Sequence, residues 1–342
     1  MKQLNKLIVT ALFILATVTS QAQEIHFSQI FETALLRNPA LAGLFKGDSR
    51  IQAVYRSQWS TVTVPYQTTS LSAEFKKQVG NSDDYFTIGG QILKDKAGTI
   101  ALSTTELLPA FNYHKSISYE KSTYLSFGII AGMVQKSLDR SKMTTNNQYS
   151  GDAFSNNLND GETFTKPSYS YFDGTVGITL NSQIGESESN NYFIGLAYHH
   201  FNKPKKLSFY ESSDISMSPK YVATAGVRFE MASNSYFTIQ TDVTSQEKNK
   251  EVVGGIMYSW KSDDNSGPNY GLHLGTYFRW NESVIPVAKL EMKNMSIAVS
   301  YDANVSALKQ KSKGNGGFEL SLTYQKAKKD NSSIDAVKCP RF

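Results

Sequence analysis

Five histidines, one cysteine and a scattered set of carboxylates are the residues from which this chain could build chemistry. The histidines are His26, His114, His199, His200 and His273. His199 and His200 are adjacent, and in a strand they point to opposite faces, so they are a poor pair for one metal. The sequence holds no Gly-x-Ser-x-Gly elbow, P-loop or dinucleotide fingerprint. Asp139, Asp152, Asp160 and Glu162 could meet a cation, yet they lack calcium-loop spacing and read as a polar, Asn/Ser-rich connection. The expectation is therefore no catalytic residue, no metal, no cofactor and no enzymatic activity.

A second group of charges is more regular. Arg50, Arg56, Glu74, Lys76, Arg228, Glu230, Asp242, Arg279, Asp302 and Glu319 fall on the polar faces of alternating segments. A charge taken away from bulk water needs a partner, so these residues are expected to brace the inside of a closed structure by pairing. Both signs occur, and a one-signed ring that would select ions is not expected.

The elements that must position them are strands. In 219–231, Tyr221, Ala223, Ala225, Val227, Phe229 and Met231 share one face, opposite Thr224, Gly226, Arg228 and Glu230. In 316–325, Phe318, Leu320, Leu322 and Tyr324 oppose Glu319, Ser321, Thr323 and Gln325. A helical period would scatter these sets, whereas period two collects each on one side. The same grammar predicts about fourteen strands, over 49–59, 66–77, 84–95, 105–119, 123–137, 168–182, 191–203, 219–231, 235–246, 250–261, 269–279, 284–293, 295–303 and 316–326. Pro109 leaves 98–119 open between one strand and two, and an even count favours one.

Strands of roughly 9 to 14 residues, polar on one face and apolar on the other, suit a transmembrane antiparallel β-barrel. Short connections such as 80–84, 120–122, 185–190, 233–235 and 293–294 alternate with long ones at 139–167, 204–218 and 304–315. Short periplasmic turns and long external loops would then put both termini in the periplasm. The 41 aromatic residues support membrane girdles at strand ends, among them Tyr55, Trp59, Tyr85, Tyr124, Tyr277 and Trp280. The last strand, with Asn315, Gly317, Leu320, Leu322 and Tyr324, carries the degenerate signal by which such barrels are recognised for assembly.

Composition sets the compartment. Lys2, Lys6, an apolar run from Leu7 to Val18 and Ser20-Gln21-Ala22 form a secretory signal peptide over 1–22. Its loss takes 35 basic residues to 33 against 30 acidic ones, a net charge of +3. That small, scattered excess argues against nucleic-acid binding. Cys339 is the sole cysteine, so no intramolecular disulfide forms. The expected organisation is a signal peptide (1–22), a periplasmic N-terminal segment (23–48), the barrel (49–326) and a periplasmic tail (327–342).

Five blocks in order then carry a resemblance: His26-Phe27-Ser28-Gln29; Asn38-Pro39-Ala40-Leu41-Ala42-Gly43; Tyr55-Arg56-Ser57-Gln58-Trp59; Asp302-Ala303-Asn304-Val305-Ser306 before Gly316-Gly317-Phe318-Glu319; and Cys339-Pro340-Arg341-Phe342. Together they resemble the PorP/SprF family, outer-membrane proteins of the type IX secretion system of Bacteroidetes. Ser57 departs from the Asn expected there, and Phe111-Asn112-Tyr113-His114 is looser than the family's Ala-Tyr-His. The resemblance implies a non-enzymatic, integral outer-membrane barrel of fourteen strands. It implies a role in protein secretion or in surface attachment of a large secreted protein, such as an adhesin of gliding motility. The partners it implies are a secreted surface protein with a C-terminal targeting domain, other type IX secretion components and outer-membrane lipid. A general or selective porin and an outer-membrane enzyme are the alternative functions.

Residues 24–44 have a second reading. Ile30, Phe31, Leu35, Leu36 and Leu41 make a short amphipathic stretch, and Pro39 disfavours helical geometry at Asn38. The chain should turn there and enter the barrel mouth as a plug or gate, with Phe27, Ser28, Gln29, Asn38, Pro39 and Ala40 as its candidate residues. Locally this resembles the Asn-Pro-Ala hatch of fatty-acid transport barrels.

Overall fold

The computed structural model describes residues 25–60, 64–151, 153–155, 157–163, 166–187, 189–205, 207–210, 215–262, 270–306 and 315–326. The expected signal peptide, the C-terminal tail and Cys339 lie outside these residues. Fourteen strands form the barrel: β1 Ser49–Gln58, β2 Tyr66–Gln78, β3 Tyr85–Ala97, β4 Leu102–Ser118, β5 Thr123–Ser137, β6 Ser168–Gln183, β7 Asn191–His199, β8 Lys220–Ala232, β9 Ser235–Gln246, β10 Asn249–Lys261, β11 Tyr270–Arg279, β12 Ser283–Met292, β13 Met295–Asn304 and β14 Asn315–Lys326. Each pairs antiparallel with its neighbours in the chain, and β1 closes on β14 from Ser49 opposite Lys326 to Gln58 opposite Gly317. Closure leaves no unpaired edge, which a spanning sheet requires because lipid cannot satisfy backbone N–H and C=O groups. No helix among the described residues is long and apolar enough to cross a membrane.

The alternation turns inside and outside as expected. Glu319, Ser321 and Thr323 of β14 are buried inward, while Phe318, Leu322 and Tyr324 face out. Leu196 is 61% exposed and Leu107 58%, and like residues recur on almost every strand. A continuous apolar exterior of this kind belongs against lipid.

Three local differences have physical causes. First, β7 stops at His199 instead of 203, because His200 and Lys203 take φ of +58° and +45° and swing the chain off the sheet. Second, 102–118 is one strand. Pro109, which has no N–H, faces Gly90 of β3, and the β4–β5 ladder skips from Leu107–Met133 to Ala110–Ile130. Third, Tyr85, Tyr124 and Tyr277 are not girdle residues. They sit on the inward face at 6%, 1% and 0% exposure, because an inward position overrides an aromatic's taste for the interface.

Both barrel ends of the chain, Ser49 and Lys326, lie at one end with the connections 79–84, 119–122, 184–190, 233–234 and 293–294. This is the turn end. The opposite, loop end carries 138–167 and 200–219, but also the short connections 98–101, 247–248 and 280–282. The long loops touch each other there: Tyr210 donates to Glu162, and the rings of Tyr169 and Phe209 meet edge-on at 4.9 Å.

Candidate functional site: a filled lumen

Residues 25–48 run inside the barrel. Their partners come from β14, β13, β11, β9, β6, β4 and β2, which a segment can reach together only from within the closed wall. The segment is not a simple helix. It is a 3-10 turn at Ile30–Glu32, one α turn at Ala34–Arg37 and a second 3-10 turn at Pro39–Leu41. Asn38 breaks the run in an extended conformation (φ −159°, ψ 117°), as a residue before proline should.

Toward the loop end the segment is gripped by charge. Glu319 accepts the backbone N–H groups of Ser28 (2.6 Å) and Gln29 (2.8 Å). The Ser28 hydroxyl donates to Asp302 (2.8 Å) and accepts from Arg56 (2.6 Å) and Arg279 (3.0 Å). Arg56 also binds Asp302 (2.8 Å) and Glu319, and Arg279 binds Asp302 (3.3 Å). Two arginines and two carboxylates, all buried, thus converge on one serine. Every partner of Arg56 here is charged or a hydroxyl, the pairing that makes a buried guanidinium tolerable.

In the middle, Lys289 (2.5 Å), Gln52 and Thr323 (2.9 Å) hold Glu32, and Arg37 forms a bidentate pair with Asp242 of β9. Below it the Asn-Pro-Ala turn sits in a socket cut by glycines. A Cβ on Gly177 would lie 2.0 Å from Asn38 Oδ1, one on Gly128 2.3 Å from the Pro39 carbonyl carbon, and one on Gly195 2.7 Å from Asn38 Nδ2. These glycines belong to β6, β5 and β7, three neighbouring strands. Asn38 Oδ1 accepts from the Ala40 N–H (2.9 Å), its amide donates to Thr179 (3.2 Å), and Asn112 donates to the Ala40 (2.9 Å) and Ala42 (2.7 Å) carbonyls. At the turn end Glu74 takes the Gly43 N–H (2.8 Å) and pairs with Arg50 (2.6 Å), while Lys76 donates to the Gly43 (3.0 Å) and Phe45 (2.6 Å) carbonyls.

Apolar contacts complete the fit. Four buried clusters lie in the lumen, each built on the segment: Ile30 with Val253, Tyr277, Ile285 and Val287; Leu35 and Ala42 with Ala110 and Ile130; Phe27 with Val54 and Leu93; Leu41 and Leu44 with Phe193. Inward-facing aliphatic residues would be poorly placed against a water channel. Against the segment each buried side chain contributes roughly 1.5–3 kcal/mol.

The structure therefore brings Phe27, Ser28, Gln29, Asn38, Pro39 and Ala40 together with Arg50, Arg56, Glu74, Asp242, Arg279, Asp302 and Glu319. Arg228 and Glu230 stand apart near the turn end: Arg228 lies over the Tyr236 ring at 4.6 Å, and Glu230 accepts from Ser187 (2.5 Å). Of the assembly-strand residues, Gly317 faces inward, and Leu320, Leu322 and Tyr324 face outward. Sequence reasoning missed Glu32, Arg37, Asn112, Lys289 and the glycine socket. The signal for the last was available, since Gly128 falls on the polar face of its strand. Asp139 and Asp160 are engaged by Ser141 and Lys142 and by Arg140, and no group of three potential metal ligands occurs among the described residues.

A closed, lipid-facing barrel of fourteen antiparallel strands defines an outer-membrane β-barrel. Among solved structures, the toluene transporter TbuX of Ralstonia pickettii is similar at a TM-score of 0.51, with 10% identity over 86% of this chain and 93% of that one. The toluene transporter TodX of P. putida gives 0.45, with 8% identity over 87% and 94%. At such identities the likeness concerns the fold alone. No curated protein matches the sequence. Residues 19–324, however, match the family described as type IX secretion system membrane protein PorP/SprF. The chain belongs to that family, as the ordered sequence blocks led one to expect.

Proposed function

We propose that this barrel serves type IX secretion as a non-conducting accessory or surface anchor, holding a large secreted protein such as a gliding adhesin at its loop end. Residues 25–48 act as its plug, both barrel ends of the chain face the periplasm, and the joined loops 138–167 and 200–219 face outward. The observation that carries this reading is the lumen filled from Ser28 to Phe45 by the chain's own segment. A general porin needs an open polar path, whereas here charge clusters and apolar clusters both close on the segment. Family membership supports other secretion components as partners, and the apolar exterior supports lipid as solvent. Deleting the gene should remove a large protein from the cell surface and leave small-solute uptake normal. Retention of every surface protein, with uptake impaired, would refute it.

A further inference from the structure

We propose that the outer surface of β3 at the loop end binds the phosphate of an anionic lipid of the outer leaflet, held between Lys94 and Lys96. This rests on the reading that the loop end faces outward. Side chains of β3 alternate across the wall: Leu93 is buried on the inner side, whereas Ile92, Lys94 and Lys96 are exposed on the exterior. Two steps along a strand set the lysines about 7 Å apart at the backbone, so their long side chains reach one phosphate.

The register shows where the apolar surface stops. Ile92 (49% exposed) stands between Leu71 of β2 (48%) and Leu107 of β4 (58%). Nearer the loop end, Lys94 stands between Thr69 and Thr105, and beyond it Lys96 stands between Gln67 and Ser103. An apolar row thus gives way to two rows of cations, hydroxyls and an amide, the change a membrane surface imposes. A lysine on the lipid face is costly at the bilayer midplane and tolerated near the interface, so this pair marks headgroup level. Neither row contains a carboxylate. Asp95, between the two lysines, faces the lumen and accepts from Thr68 (2.6 Å). Asp139, whose N–H bonds to the Ile100 carbonyl in the turn after β3, is held by Ser141 and Lys142. The patch is therefore positive and flanked by hydroxyl donors, which suits a phosphate ester and not a neutral headgroup. It faces sideways, continuous with the lipid-facing row of Ile92, and that placement favours a lipid over a soluble acidic protein.

The test uses the purified full-length barrel in detergent, analysed by native mass spectrometry with diphosphoryl lipid A and with the same lipid freed of its phosphates. The phosphorylated lipid should bind about tenfold more tightly. Lys94→Gln/Lys96→Gln should lose that preference and keep its heat-modifiable mobility. Lys250→Gln, which removes an exposed lysine at the loop end of β10, should retain it. Equal binding of the two lipids, a preference that survives in the double variant, or its equal loss in Lys250→Gln would overturn the proposal. So would displacement of the lipid by millimolar inorganic phosphate, which would mark a site for a soluble anion. Binding in detergent does not depend on which end faces outward, so sidedness is read separately. With Cys339→Ser, Thr99→Cys in the exposed turn 98–101 should react with an impermeant maleimide on intact cells. Binding without labelling would sink the outward reading and keep the phosphate site. Labelling without binding would sink the lipid site alone.

Discussion

Arg37, in the last turn of the short helix inside the lumen, makes a bidentate ion pair with Asp242 on the barrel wall, and both side chains are buried. Arg37 also donates to the Ile30 carbonyl (2.7 Å), so one guanidinium ties the fold of the segment to the wall.

Removing one partner of a buried pair leaves an uncompensated charge, at a cost of roughly 3–5 kcal/mol. Arg37→Ala should lower the unfolding free energy of the refolded barrel by that order, read as a lower denaturant midpoint. Arg37→Ala/Asp242→Ala should cost less than the sum of the single changes, which a double-mutant cycle measures. Strict additivity would mean that the pair does not couple segment to wall.

The glycine socket gives a sharper test of seating. Gly177→Ala places a methyl group where Asn38 Oδ1 now sits, a clash costing about 1–3 kcal/mol. The strand keeps its ladder, so the folded, heat-modifiable band on gels should persist. With Cys339→Ser in both proteins, Ala40→Cys should become accessible to a water-soluble maleimide in this background and stay protected in the parent. Equal labelling of both would contradict the socket.

Outside the membrane, the Glu162 backbone N–H (3.0 Å) and then Arg140 hold the Asp160 carboxyl below its ordinary 3.8. A depressed folded value means that this contribution is complete above 3.8 and is lost only as pH falls through the lower value. Limited proteolysis of 138–167 should therefore be unchanged from neutrality to about pH 4.5. Arg140→Gln should raise cleavage across that whole range, and a cleavage rise with a midpoint near pH 6 would show another group in control.

On the lipid face, Ile256 lies at the middle of β10 with 44% exposure. Ile256→Arg should cost roughly 2–4 kcal/mol in a bilayer and reduce the assembled, heat-modifiable fraction. An undiminished fraction would place that face in water.

How much of this was legible in the sequence follows from distance along the chain. Strands announce themselves locally: Phe318, Leu322 and Tyr324 alternate with Glu319, Ser321 and Thr323, and fourteen such runs gave both count and fold. Asn38-Pro39 likewise announced its turn. What the segment touches was not legible, because Ser28 meets Glu319 291 positions away and Arg37 meets Asp242 across 205. Val54, Leu93, Val253 and Ile285 carried a missed hint, since aliphatic residues on an otherwise polar face need cover. His200 and Lys203 show the opposite limit: their left-handed backbone ends β7 where alternation alone would have continued it.

The direction of the segment also went unread. The expectation put residues 24–44 on the periplasmic side with the barrel ends. Phe45 does lie beside Arg50 and Lys76 at the turn end, with its ring 4.6 Å from the Arg50 guanidinium. Ile25 and Phe27, however, line a cavity with Lys220, Gln246 and Asn249, which close β8, β9 and β10 at the loop end. Twenty-odd residues in short helical turns are long enough to traverse the lumen, and they do.

Single-channel recording of the purified full-length protein in planar bilayers tests the central claim most directly. A barrel plugged by residues 25–48 should insert, as heat-modifiable mobility after extraction confirms, and yet remain electrically quiet. Steady, porin-sized conductance steps from the inserted wild-type protein would contradict it.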